Sequence, residues 1–76
     1  MTKVSKIEKI EKTKNSVHPD VGCTYCVFQD SGEKYLQIDT YKIGDIGMAE
    51  QSTQKIQFDK EFAVKLIEIL KSEFNL

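Results

Sequence analysis

Three side chains of the chain have the chemistry of soft metal ligands. His18, Cys23 and Cys26 offer one imidazole and two thiols, the thiols in Cys-x-x-Cys spacing, and these are groups that zinc prefers. The sequence has no fourth soft ligand, and the cysteines enter a strand-like run, where residues three apart point to opposite faces. A redox Cys-x-x-Cys stands instead at a helix N-terminus. We therefore expect structural or incidental cysteines, with His18, Cys23 and Cys26 only weak metal candidates, and no cofactor.

The remaining sequence offers no arrangement of catalytic residues. Its only histidine, His18, lies next to Pro19 in a loop-like segment. A Gly-rich phosphate loop followed by Lys and Ser or Thr is missing, as is a nucleophile elbow. We expect a binding protein without enzymatic activity.

Two predicted strands share a polar and aromatic face, which is a better candidate for a binding site than the cysteines and the histidine. Apolar and polar side chains alternate along residues 34–41 and again along 53–58, so each run presents one face to a core and the other to water or a ligand. The polar face consists of Tyr35, Gln37, Asp39, Tyr41, Lys55 and Gln57. Aromatic rings on an open sheet stack on unpaired bases, while Gln and Lys contact base edges and phosphates. The same residues are also ordinary on a half-wet strand, and Asp39 repels phosphate, so both interpretations stay open.

The elements that position this face are predicted from turn and capping signals. Runs rich in β-branched and aromatic residues at 24–29 and 34–41 flank Asp30-Ser31-Gly32-Glu33, which predicts a hairpin. A two- or four-residue turn pairs Val27 with Leu36, whereas a three-residue bulged turn pairs Phe28 with Leu36. Either Tyr25 or Phe28 then joins the polar face.

An amphipathic helix is predicted after the last strand. Asp59 is well placed to cap a helix that runs to about Phe74. Its apolar stripe is expected to cover the apolar face of the sheet, while other apolar side chains suit a second contact, most simply a homodimer. The stripe consists of Phe62, Ala63, Leu66, Ile67, Leu70 and Phe74. The apolar face of the sheet consists of Leu36, Ile38, Ile56 and Phe58. The apolar side chains available for a second contact are Val64, Ile69 and Leu76.

The first 22 residues form a basic leader. Residues 1–16 hold five Lys and two Glu, whereas residues 17–76 hold six Lys and ten acidic residues, giving net charges of +3 and −4. We expect an edge strand around Lys6–Lys12 and an exposed connection from Asn15 to Gly22. The leader either contacts an acidic partner or nucleic acid or is a solvated segment.

Composition limits the location and the partners. No apolar stretch resembles a signal peptide or a membrane span, and two cysteines make no disulfide framework, so we expect a reducing cytoplasm. All eleven cations are Lys, which lack the planar fork that clamps phosphates, so a polyanion would be held loosely. A Lys- and Ile-rich, Arg-free sequence suggests a low-GC bacterium or a phage.

The predicted fold is one α+β domain over residues 1–76. An antiparallel sheet of three or four strands spans residues 23–58, and one C-terminal amphipathic helix over 59–74 packs on one of its faces.

Residues 24–76 resemble a known family. The strand Lys-Tyr-Leu-Gln-Ile-Asp-Thr-Tyr at 34–41, a loop, and Lys-Ile-Gln-Phe-Asp-Lys-Glu at 55–61 running into a helix are similar to the positive-cofactor-4-type single-stranded-DNA-binding domain, a transcriptional coactivator type. The resemblance implies a curved antiparallel sheet, a homodimer through the C-terminal helix, and a nucleic-acid face. That face would consist of Tyr35, Gln37, Tyr41, Lys55 and Gln57. The family's loop is basic, whereas residues 42–52 here hold one Lys against Asp45 and Glu50.

Two functional hypotheses follow. In the first, the protein engages single-stranded DNA or RNA through the open sheet face, in a sequence-tolerant and salt-sensitive way. In the second, the acidic part of the chain makes it a protein-binding adaptor or inhibitor, of phage or mobile-element type, that mimics nucleic acid.

Overall fold

The computed structural model describes residues 1–76 and contains one sheet and one α-helix. The elements are β1 (Thr2–Lys3), β2 (Gly22–Asp30), β3 (Glu33–Tyr41), β4 (Gln54–Asp59) and α1 (Lys60–Phe74). The sheet has the order β1-β4-β3-β2, in which β2, β3 and β4 are antiparallel neighbours and β1 runs parallel to β4. The α+β prediction is therefore confirmed, with a mixed sheet rather than a purely antiparallel one. No helix combines the length and apolar character needed to cross a membrane.

A two-residue turn fixes the register of the hairpin. Ser31 and Gly32 have φ values of 53° and 83°, the left-handed conformations that a tight hairpin turn of the type I′ kind needs at both central positions. Asp30 therefore lies opposite Glu33, and Val27 opposite Leu36. Of the registers left open by the sequence, the structure has the one that places Phe28 beside Tyr35 and sends Tyr25 to the opposite face.

The helix begins and ends at local signals. The Asp59 side chain accepts a hydrogen bond of 3.0 Å from the backbone N–H of Phe62, a cap that contributes about 1 kcal/mol to helix stability. At the other end Asn75 adopts a left-handed conformation with φ 57°, and the N–H of Leu76 donates to the carbonyl of Lys71. The predicted cap and the predicted end near Phe74 are both confirmed.

The helix covers only one end of the sheet. Phe62 is 6% exposed, and its ring lies 5.4 Å from that of Phe58. Ala63 lines a groove together with Leu36 and Phe58, so the first turns of α1 pack on this face, which we call the inner face. Further along, the predicted stripe leaves the sheet and becomes exposed. Its exposed members are Ile67, Leu70 and Phe74.

The leader does not form the predicted strand at Lys6–Lys12. The parallel pairing with β4 is confined to Thr2 and Lys3, with one more backbone bond from the N–H of Val4 to the carbonyl of Gln57. Because β4 turns into α1 after six residues, the edge available to a parallel strand ends there. The leader then follows the helix, with Ile7 and Ile69 lining one cavity and an ion pair of 3.2 Å between Lys9 and Glu73.

Candidate nucleic-acid interface

Strand register gathers a set of polar and aromatic side chains on the face of the sheet opposite to α1. We call this the outer face. Residues directly opposite each other on paired strands point to the same side, so the three ladders define its members without ambiguity. They are Lys3 from β1, Gly22, Thr24, Cys26, Phe28 and Asp30 from β2, Glu33, Tyr35, Gln37, Asp39 and Tyr41 from β3, and Lys55, Gln57 and Asp59 from β4.

An aromatic pair occupies the hairpin side of the outer face. The rings of Phe28 and Tyr35 lie opposite each other with centroids 5.5 Å apart and planes 25° apart, in a stacked arrangement. The Lys3 ammonium lies 5.6 Å from the centre of the Tyr35 ring, within cation–π range. Both rings are half-buried, so their orientation is fixed while part of their surface stays open. The pair and its cation form a platform that suits a flat π-system carrying negative charge nearby.

A chain of hydrogen bonds runs beside the platform. The Gln57 amide N–H donates to Gln37 Oε1 at 2.7 Å, and the Gln37 amide N–H donates to Asp39 Oδ1 at 2.7 Å. The Lys55 ammonium lies 3.8 Å from the other carboxylate oxygen of Asp39. The Asp39 side chain is only 14% exposed, so its charge is recessed and faces a cation. This pairing reduces the phosphate repulsion expected from Asp39.

Tyr41 does not present its ring for stacking. It is one of two buried residues, 4% exposed, and its hydroxyl lies 3.1 Å from Thr24 Oγ1. The loop between β3 and β4 covers this end of the outer face, because a Cβ at Gly22, opposite Tyr41, would collide with the side chain of Ile46. Tyr41 is thus a core residue under the loop, whereas Tyr35, Gln37, Lys55 and Gln57 lie together on the outer face as predicted.

Two side chains of the aromatic platform, Phe28 and Lys3, were not assigned to it from sequence alone. Phe28 depended on the hairpin register, which only the Ser31-Gly32 turn decides. Lys3 reaches the face through a two-residue parallel strand, and so short a strand leaves no recognisable pattern.

The cysteines and the histidine are not brought together. Cys23 lies opposite Thr40 and Cys26 opposite Gln37, so the two thiols point to opposite faces of β2. Both are free and exposed. His18 lies in the leader, beside residues 13–16. No three His, Cys, Asp or Glu side chains are grouped so that they could hold a metal ion.

The protein is a small α+β domain whose sheet has an aromatic and polar outer face. Comparison of the chain with family models, with curated proteins and with solved structures finds no match.

Proposed function

We propose that the protein binds single-stranded nucleic acid on its outer face, without strong sequence preference. The observation that carries the proposal is the stacked pair of Phe28 and Tyr35 with the Lys3 ammonium beside it. Unpaired bases expose the π-faces that such rings stack on, and every base offers one. Single strands opened during transcription are a substrate class that agrees with the family resemblance.

The polar groups of the outer face supply the remaining contacts. Gln37 and Gln57 are oriented by each other and keep spare amide groups for base edges. Lys3 lies opposite Gln57 on β1, and Lys55 lies two residues before Gln57 on β4; both suit backbone phosphates, as point charges rather than bidentate clamps. Neighbouring strands are about 4.8 Å apart, so four strands span about 14 Å, enough for a short stretch of strand rather than one base. We place this activity in the cytoplasm, where Cys23 and Cys26 stay reduced.

Replacing both Lys3 and Lys55 by Ala is expected to weaken binding and to flatten its dependence on salt. Each lost phosphate contact on a single strand lowers the slope of log K against log salt by about 0.7, so the double variant should lose about 1.4. Fluorescence anisotropy of a labelled oligothymidine at several salt concentrations measures this slope. The control is Lys65→Ala with Lys71→Ala, which removes two cations from α1. Equal slopes for the wild type and the Lys3/Lys55 variant would refute the contact.

We further propose that two copies associate through the exposed part of the α1 stripe. Ile67 is 52% exposed and Phe74 69%, with Leu70 between them on the same side of the helix. The chain buries only two of its residues, Tyr41 and Phe62, so it has much apolar surface left to cover.

The change Ile67→Asp with Leu70→Asp is expected to lower the mass of the species in solution. A carboxylate placed in an apolar contact loses its hydration without gaining a partner. Light scattering after size exclusion measures the mass, and Lys65→Asp, which also adds a carboxylate to the helix surface, should leave it unchanged. A wild-type monomer at about 100 µM, on the order of a weak contact's dissociation constant, would contradict the contact.

A further inference from the structure

The strand β2 forms a free edge of the sheet. It is nine residues long, lies at the end of the strand order, and pairs residue by residue with β3 without a bulge. None of the backbone hydrogen bonds made by turns, loops and caps involves residues 22–30. Natural sheets usually protect such an edge with Lys, Pro or a bulge, and β2 has none of these.

The hairpin turn determines which backbone groups face outward. In a two-residue hairpin the residues next to the turn, Asp30 and Glu33, exchange both backbone bonds, and such pairs recur at every second residue. The even-numbered residues of β2 therefore bond to β3. The N–H and C=O groups directed at the free edge belong to Cys23, Tyr25, Val27 and Gln29.

We propose that this edge pairs antiparallel with β2 of a second copy, around a two-fold axis at Cys26. Cys26 is the central residue of Gly22–Asp30, so only this register pairs the whole strand with itself. It also matches the backbone, because the outward groups of Tyr25 then meet those of the partner's Val27, and those of Cys23 meet those of the partner's Gln29. The β2 strand of a second copy has the same length and the matching pattern of outward N–H and C=O groups, so it can pair with the whole edge.

Side chains and charge agree with this register. Tyr25 is 73% exposed and Val27 51%, and the pairing places each beside the other across the new ladder, an aromatic and β-branched combination that stabilises sheets. The only charge in β2 is Asp30, at the end of the strand. It falls opposite the partner's Gly22, so no like charges meet. The result is one eight-stranded sheet in which the outer faces of two copies are continuous.

Thiol cross-linking tests the register, because the axis brings Cys26 next to the partner's Cys26. The two form a non-hydrogen-bonded pair with Cα atoms about 4.5 Å apart, inside the range that a disulfide spans. With diamide as oxidant, two thiols give up two electrons and two protons, the sulfurs join, and diamide becomes the hydrazine. We expect a covalent dimer from Cys23→Ser and none from Cys26→Ser, although both keep one exposed thiol. Equal cross-linking of the two variants, or none in either at 100 µM, on the order of a weak contact's dissociation constant, overturns the proposal.

Two further variants in the Cys23→Ser background separate this contact from other events. Val27→Lys puts a cation on the edge at an exposed position, and we expect it to abolish the cross-link while circular dichroism still shows the folded chain. Ile67→Asp disrupts only the α1 contact, and cross-linking through Cys26 should persist. Loss of the cross-link in Ile67→Asp but not in Val27→Lys would show that the helices, not the sheet edges, bring the thiols together. None of these measurements uses oligothymidine binding, so they test the edge contact independently of the proposed function.

Discussion

Phe62→Ala is expected to lower the free energy of unfolding by about 3–5 kcal/mol, the range for removing a buried phenyl ring. Phe62 is one of two buried residues of the chain, and its contact with Phe58 is where the helix is held against the sheet. Small domains are stable by about 5–15 kcal/mol, so the loss is a large part of the total. Urea denaturation followed by circular dichroism measures it.

Phe74→Ala is the matched control, because it removes the same ring from a position that is 69% exposed. Measured at a protein concentration too low for self-association, it should change the free energy of unfolding by less than about 1 kcal/mol. Equal destabilisation by the two changes would mean that Phe62 does not anchor the helix as the structure shows.

Phe28→Ala combined with Tyr35→Ala is expected to weaken binding of single-stranded DNA at least about thirtyfold. Each lost base–ring stack costs about 1 kcal/mol or more of binding free energy, and two stacks together cost about 2 kcal/mol or more. The two rings form the stacked pair of the outer face, so their removal takes away the platform and leaves the cations. Anisotropy titration with oligothymidine at low salt measures the loss, and the melting temperature of the double variant checks that it is folded.

Tyr25→Ala is the control for that experiment. Tyr25 is the most exposed aromatic side chain of the sheet but points to the inner face. Its removal should leave the affinity unchanged in dilute protein. If Tyr25→Ala weakens binding as much as the double variant does, the outer face is not the site.

Local signals made much of the fold predictable. The Ser31-Gly32 turn and the alternation beside it indicate the hairpin, and Asp59 before an apolar period indicates the helix, because each of these signals acts within a few residues. The hairpin register needed the structure, since the sequence allowed turns of two, three or four residues.

What depended on distant chain segments was not predictable. Tyr41 alternates in phase with Tyr35 but is buried, because the loop after β3 returns over it, and periodicity does not describe a loop's path. The short strand Thr2–Lys3 has too few residues to show a period. The apolar stripe of a helix indicates which side chains favour burial but not what they pack against. The exposure of Ile67 and Phe74 is therefore seen only in the structure.

The central claim is that single strands bind to the outer face, and the most direct test is the change in backbone amide NMR signals on titrating oligothymidine at low salt. We predict the largest shifts at Lys3, Phe28, Tyr35, Gln37 and Gln57, with the amides of α1 nearly unchanged. Amide signals that do not shift during the titration would contradict the claim. The hypothesis to test next would then be that the acidic part of the chain binds a protein partner.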